Sequence, residues 1–235
     1  MALVKFGGGI VKMSGSIAGT TFARNRSGDY ARSWKNPVNP RSTRQEAIRA
    51  IISFLAEYWH TVLTPAERAA WKAYADVVAM KNKLGDSILL TGFNHFIRTN
   101  SAILTMPETQ LDTAPTILSL PEKDATLACS AEGIAAQTFT FTCATAGWAA
   151  NGDSKLGILL YQGLPQLASR NFFAGPYRYM DYIDATEGAA GTGDYAASFP
   201  FAVGQKIFFK ARLITTSGRL SEAWSPDPLV AEADA

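Results

Sequence analysis

Few residues of this 235-residue chain could catalyse a reaction or bind a metal, and they are widely spaced. The two histidines, His60 and His95, stand 35 positions apart in segments with helical patterning. The two cysteines, Cys129 and Cys143, fall in alternating apolar patterns typical of buried strand positions. Two cysteines and two distant histidines offer too few ligands for a metal centre. We therefore expect structural or surface histidines and buried thiols, while a disulfide between neighbouring strands stays open.

The remaining motifs also lack the pattern of a chemical site. Residues 7–9 are all glycine, but Ile10 and Val11 follow them instead of the lysine and hydroxyl residue of a phosphate loop. No Gly-x-Ser-x-Gly elbow occurs. Scattered loop aspartates more often solvate turns than bind calcium; the candidates are Asp153, Asp181, Asp184 and Asp194. We predict no catalytic residue, no cofactor and no metal, and hence a protein that is not an enzyme.

Charge is distributed unevenly along the chain. Residues 1–44 contain eight basic residues and one acidic residue, a net charge of +7, whereas residues 112–235 contain eight basic and thirteen acidic residues, a net charge of −5. Residues 45–111 are neutral. The N-terminal segment therefore favours an anionic partner, either an acidic protein face or nucleic acid. No apolar run is long enough for a membrane span, and the N-terminus lacks the apolar core of a signal peptide.

The N-terminal segment has the pattern of an extended arm that carries a β-hairpin. Residues 20–34 predict two short strands around a Ser27-Gly28 turn, with aromatic and basic residues interleaved in a strand-like pattern. An isolated hairpin is only marginally stable in water, so we expect this one to pack against the rest of the chain or against another subunit. The predicted partner-binding residues of the arm are Phe22, Arg24, Arg26, Tyr30, Arg32, Trp34, Lys35 and Arg41.

Three helices are predicted after the arm. Prolines at 37 and 40 predict a stiff approach, and Ser42 or Thr43 predicts the cap of a first helix. Thr64-Pro65 predicts a second helix to about Met80, folded back on the first as a helical hairpin with Trp59 near Trp71. A third helix is predicted from Thr91 to about Leu104. The first helix has an apolar stripe formed by Ile48, Ile51, Ile52, Leu55, Trp59 and Val62.

Beyond Pro107 the pattern changes from helical to strand-like. Alternating segments near 125–131, 137–145, 156–161, 194–201, 205–216 and 220–225 predict an antiparallel β-sandwich. The final strands, with Gly218 between them and Trp224 near the end, resemble the last hairpin of a fibronectin type III or immunoglobulin-like domain. Residues 162–193 are predicted to form a long loop and a second partner-binding surface. Its predicted contact residues are Phe172, Phe173, Tyr177, Tyr179 and Tyr182.

The predicted fold class is therefore α+β. It consists of an extended N-terminal arm with a β-hairpin, residues 1–41; a small helical domain made of a helical hairpin and a third helix, residues 42–106; and a C-terminal antiparallel β-sandwich of the immunoglobulin or fibronectin type III kind, residues 107–235.

Residues 10 to 105 resemble a widespread family of bacteriophage virion proteins. The residues that carry the resemblance are Gly15, Gly19, Phe22, Arg24, Gly28, Pro37-Val38-Asn39-Pro40-Arg41, Gln45, Arg49, Trp59, Leu63-Thr64, Arg68, Trp71 and Gly92-Phe93-Asn94-His95-Phe96. The resemblance implies a structural protein of the virion, assembled in the host cytoplasm, in which an arm interlocks subunits and an immunoglobulin-like domain decorates the outside.

These observations lead to one expected function and two alternatives. We expect a capsid decoration or cement protein that acts in many copies, binding the major capsid protein or other virion proteins and no membrane. A tail or head-to-tail connector subunit is the first alternative. A nucleic-acid-binding protein is the second alternative. Its contact would be nonspecific and made by the arm, because the second predicted helix lacks the asparagine or glutamine side chains that would read base edges.

Overall fold

A computed structural model describes residues 2–3, 8–10, 12–25, 28–36, 38–81, 87–131, 136–148 and 153–231. Within them, four helices and several antiparallel sheets form an α+β fold with a strand-rich C-terminal region, as the sequence predicts. No helix among the described residues is both long and apolar enough to cross a membrane.

The N-terminal segment forms a four-stranded antiparallel sheet, which we call the arm sheet. Its strands are β1 (Ala2–Leu3), β2 (Gly15–Ile17), β3 (Thr20–Asn25) and β4 (Gly28–Ser33), in the order β1-β4-β3-β2. The predicted hairpin is the central pair, β3 and β4. Two further strands, which the sequence pattern did not reveal, extend it at both edges.

Helices α1 (Thr43–Thr61), α2 (Pro65–Val77) and α3 (Gly92–Ile103) begin at or within one residue of the positions that the sequence predicts. The hydroxyl oxygens of Ser42, Thr64 and Thr91 each accept a hydrogen bond from a backbone N–H in the first turn of their helix. These bonds satisfy donors that a helix start otherwise leaves unpaired. A local capping residue therefore marks each of the three helix starts.

The second helix is shorter than predicted. It ends at Val77, and residues beyond it form β5 (Ala79–Lys81), which pairs with β6 (Ser87–Leu89). The predicted helix end at about Met80 is therefore wrong, because backbone pairing with β6 replaces the last helical turn.

The helical core forms around α3, against which α1 and α2 both pack. Trp59 and Trp71 meet through a shared neighbour, since each ring contacts Phe96, at centroid distances of 5.3 and 5.6 Å. The predicted stripe on α1 is only partly covered: Leu55 is buried, but Ile52 and Val62 are exposed.

The C-terminal region is a β-sandwich. One sheet contains β7 (Ala128–Ala131), β8 (Thr138–Thr142) and β12 (Thr192–Ala196) in the order β12-β8-β7. The other contains β9 (Lys155–Gly163), β11 (Tyr177–Ile183) and β14 (Phe209–Thr215) in the order β11-β9-β14. Residues near 220–224 extend this second sheet through bridges between Ala211 and Trp224 and between Ile214 and Leu220.

Buried side chains from both sheets form a single core. They include Phe139, Phe141, Ile158, Leu160, Ile183, Tyr195, Phe209, Ala211 and Leu213. A third small sheet, β10 (Gln166–Leu167), β13 (Gln205–Ile207) and β15 (Leu229–Val230), lies in the order β10-β13-β15. A short helix, α4 (Ala185–Ala190), precedes β12.

The predicted loop at residues 162–193 is largely ordered structure, so the loop assignment is wrong. It contains β10, β11 and α4, and β11 pairs along β9. A β-bulge between Tyr179 and Asp181 shifts the alternation of side chains partway along β11. That shift hides the period-2 pattern by which a strand is recognised in sequence.

The end of α3 packs on the outer face of the β11-β9-β14 sheet. Ile103 and Met106 form a buried cluster with Leu159, Ile214 and Leu220. The hydroxyl of Thr99 also donates a 2.9 Å hydrogen bond to the Gly218 carbonyl. Helix α3 therefore contacts both the helical core and the sandwich.

Candidate interaction surfaces

Among the arm-sheet residues whose side chains the structure describes, 15–17, 20–24 and 28–33, none is buried. Leu55, on α1, is the first buried residue in the described part of the chain. Phe22 and Tyr30 are half-buried, while Ile17 is 62% exposed and Trp34 is 50% exposed. Small sheets need an apolar face packed against another layer to be stable, and no described side chain of the arm sheet is buried in such a contact.

Strand register divides the predicted arm residues between two faces. Residues two apart on a strand share a face, so Phe22 and Arg24 lie on one face of β3. Tyr30 pairs with Ala23, which places Tyr30 and Arg32 on the opposite face. Each face thus presents an aromatic ring and a guanidinium, and neither is simply apolar or simply basic.

The other predicted arm residues lie at the sheet or just after it. The backbone N–H of Trp34 donates a 2.7 Å hydrogen bond to Gly19, which ties the end of β4 to the turn before β3. Lys35 and Arg41 are exposed, and Arg26 lies outside the described residues. Arg24 pairs with Asp29 at 3.8 Å, an exposed ion pair that contributes little to stability.

The predicted aromatic contact residues of segment 162–193 do not form one exposed patch. Phe172 is 73% exposed, but Phe173 makes an edge contact with Tyr177 and stacks on Phe208, with ring centroids 5.2 and 5.8 Å away. Tyr179 and Tyr182 are partly buried beside the cluster that α3 forms with the sandwich. Most of these rings therefore stabilise the fold of the monomer.

A large groove lies where the start of α1, the middle of α3 and the outer face of the β11-β9-β14 sheet meet. It encloses about 1030 Å³. Five arginines line it together with several aromatic rings, and none of its described lining residues is acidic. These arginines are Arg44, Arg49, Arg98, Arg178 and Arg212. We call it the arginine groove.

Sequence reasoning missed this groove because its residues come from positions as far apart as 42 and 220. One part of the groove could have been recognised in the sequence of β14. Lys210 and Arg212 alternate with buried residues on β14, which places their side chains on the outer face of the sheet. The sequence could not reveal that α1 and α3 lie over that face.

The guanidinium of Arg98 is the most enclosed charge of the groove. It donates hydrogen bonds to the carbonyls of Leu220, at 2.9 Å, and Ser221, at 3.1 Å. Burial lowers the pKa of Arg98 to about 10, and the nearby Arg212 charge acts in the same direction. Glu222, which does not line the groove, only partly offsets this repulsion.

The side chains that could bind a metal ion make structural contacts with their neighbours instead. Within the described part of the chain, no cluster of three or more histidine, cysteine or acidic side chains could hold a metal ion. The candidate calcium ligands are dispersed: Asp153 pairs with Arg219, Asp184 caps α4, and Asp194 accepts a 2.7 Å hydrogen bond from Thr140.

The cysteines and histidines occupy structural positions. Both cysteines are free, and burial raises the pKa of the Cys129 and Cys143 thiols, which favours the unreactive protonated form. His95 is completely buried, with its ring 5.2 Å from that of Tyr74, whereas His60 is exposed on α1.

Comparisons with known proteins identify no family. No family model matches the chain, and no curated protein matches it significantly. A solved structure described as "Myokine structure" matches 49% of this chain and 99% of its own, at 10% sequence identity and a TM-score of 0.31. At that TM-score the similarity supports no inference about function.

Proposed function

We propose that this chain is a structural protein of a bacteriophage particle and attaches to neighbouring subunits through the arm sheet. The observation that carries the proposal is that no side chain is buried at residues 15–17, 20–24 and 28–33, the part of that sheet whose side chains the structure describes. Four strands with aromatic residues on both faces would be marginal alone in water. Cover from neighbouring subunits would stabilise the sheet and would bind the chain into an assembly.

The resemblance of residues 10 to 105 to virion proteins supports placement in a phage particle. The sandwich buries its own core and needs no partner to cover it, which suits a domain that projects outward. We therefore favour a decoration or cement protein present in many copies, whose partner is the major capsid protein or another virion protein. A tail or head-to-tail connector subunit would use the same attachment.

The proposed attachment combines backbone pairing with burial of rings. Strand β2 is an edge of the arm sheet, so its outer N–H and C=O groups are available to pair with a strand of a neighbour. Neighbours that cover the two faces would bury Phe22 on one side and Tyr30 on the other. Arg24 and Arg32 would then meet carboxylates of the partner.

Deleting residues 1–35 tests this proposal. We expect the remaining chain to stay folded, because the helix caps and the described buried residues all lie beyond residue 35, but to be missing from purified particles. The double variant Phe22→Ala/Trp34→Ala should also reduce incorporation. Leu167→Ala, which truncates an exposed apolar side chain of the sandwich, is the matched control and should not.

Quantitative mass spectrometry of particles gives the copy number of each variant. Attachment of the intact chain should persist at moderate salt, since backbone pairing and ring burial are not screened by ions. If the truncated chain is incorporated as well as the intact one, the arm is not the attachment device and the proposal fails.

A further inference from the structure

The arginine groove concentrates positive charge without compensation inside the monomer. Its five arginines form no ion pair within the described part of the chain, and its described lining contains no carboxylate. Arg98 and Arg212 also repel each other in a partly buried setting. Like charges held close together destabilise a folded protein unless an anion neutralises them. The groove therefore has the electrostatics of a binding site for an anionic group.

Several arginines are held in fixed positions. The Arg44 guanidinium lies 4.3 Å from the centre of the Tyr179 ring, and that of Arg178 lies 4.5 Å from the centre of the Phe199 ring. Arg98 is fixed by its two carbonyl acceptors. Guanidinium groups that are already positioned lose less conformational entropy when they bind a carboxylate.

The first turn of α1 adds to the positive electrostatic potential of the groove. Ser42, Thr43 and Gln45 line the groove, so the positive end of the α1 dipole points toward the same space as the arginines. The arginines and the helix start together form one surface on four elements, α1, α3, β11 and β14.

We infer that the arginine groove binds an acidic, extended segment of another protein. An extended chain places alternate side chains on one side, so glutamate or aspartate at every second position could pair with the guanidinium groups that line the groove. The groove volume of about 1030 Å³ lies at the upper end of the range for small-molecule pockets, roughly 300–1,000 Å³, which leaves room for several residues.

The aromatic rings of the groove favour a peptide over single-stranded nucleic acid. Proteins bind single strands by stacking bases on open aromatic faces. Here Arg44 lies over Tyr179, Arg178 over Phe199, and Lys210 over Tyr177, at 4.6 Å from the ring centre. Because cations already occupy these faces, the groove offers charged hydrogen-bond donors and few stacking platforms.

The acidic segment belongs to a different protein and not to a second copy of this chain. In this sequence, acidic residues two positions apart occur only as the pairs Glu122/Asp124 and Glu232/Asp234, and Asp124 is paired with Lys155 at 3.0 Å. Two carboxylates are too few to match the five arginines of the groove. The groove begins at Ser42 and includes no residue of the arm sheet, so this inference does not depend on the proposed attachment.

Fluorescence anisotropy on the full-length protein tests the inference. The probe is a fluorescein-labelled decapeptide of alternating glutamate and alanine, and its control has glutamine in place of glutamate. We expect binding of the acidic probe alone, weakening as salt is raised. Arg178→Gln and Arg212→Gln should each weaken binding by about tenfold, the usual effect of losing a hydrogen bond to a charged group. Lys72→Gln, which removes one positive charge from an exposed position on α2 outside the groove, should leave binding unchanged.

Three outcomes would overturn the inference. They are equal binding of the glutamine peptide, unchanged binding by both groove variants, and tighter binding of a ten-nucleotide thymidine strand than of the acidic peptide. Salt-sensitive self-association of the protein that Arg178→Gln abolishes would contradict it as well, by making a second copy the occupant. Arg178 is exposed, so Arg178→Gln keeps the test decisive even if Arg212→Gln fails to fold.

Discussion

Replacing Trp71 by alanine tests whether the helical core is complete within one chain. Trp71 has no solvent exposure, and its ring makes edge contacts with Phe96 and Tyr74 at centroid distances of 5.6 and 6.1 Å. Its indole N–H donates a 2.8 Å hydrogen bond to the Asp112 carbonyl. The side chain therefore joins α2 to α3 and to the segment that leads into the sandwich.

The expected loss follows from buried area and the hydrogen bond. A buried tryptophan removes about 200 Å² from water, worth about 5 kcal/mol at 25 cal/mol per Å². A compact unfolded state and the retained Cβ reduce this figure to about 3 to 4 kcal/mol. An unpaired Asp112 carbonyl adds about 1 kcal/mol. We therefore expect Trp71→Ala to lower the unfolding free energy by about 4 to 5 kcal/mol.

Scanning calorimetry or denaturant unfolding of the isolated protein measures this loss. Trp34→Ala is the matched control, because Trp34 is 50% exposed on the arm, and it should cost less than about 1 kcal/mol. Trp71→Phe should fall between the two, since it keeps a ring but loses the bond to Asp112. A Trp71→Ala effect no larger than that of Trp34→Ala would refute the reasoning and would mean that Trp71 is buried only on assembly.

Two further predictions concern the contact of α2 with α3 and the buried histidine. Gly92→Ala should destabilise the protein by about 1 to 3 kcal/mol, because the new Cβ would lie 2.7 Å from the backbone nitrogen of Lys72; a gain in thermal midpoint, as helix propensity alone would give, would contradict this close approach. Burial lowers the pKa of His95 from 6.5, Arg98 acts in the same direction, and the Val78 backbone opposes them. The unfolded chain therefore binds a proton at higher pH than the folded chain, so stability should be full above pH 6.5 and decline as pH falls through it. The denaturant midpoint should therefore fall with decreasing pH in the wild type and change less with pH in His95→Gln. An equal pH dependence of the midpoint in both proteins would exclude His95 as its source.

The helix starts were predictable because their signals are local. Ser42, Thr64 and Thr91 are each followed within three residues by the amide that they cap, and no distant residue is needed to recognise the pattern. The strands of the sandwich were also predictable wherever one face is buried, as in β8, where Phe139 and Phe141 alternate with threonines.

The remaining features depend on contacts that the local pattern does not contain. The end of α2 is set by pairing with residues 87–89, and the course of β11 is obscured by its bulge. Edge strands β1 and β2 are too short to produce a recognisable period. The arginine groove arises only when α1 and α3 pack over the outer face of a sheet whose strands are more than fifty residues away.

Cryo-electron microscopy of purified particles of the proposed phage tests the central claim most directly. The map should place the arm sheet between neighbouring subunits, with Phe22 and Tyr30 buried on opposite faces and the sandwich directed away from the shell. An arm sheet that contacts only solvent or packaged nucleic acid, or particles that lack the protein altogether, would contradict the account.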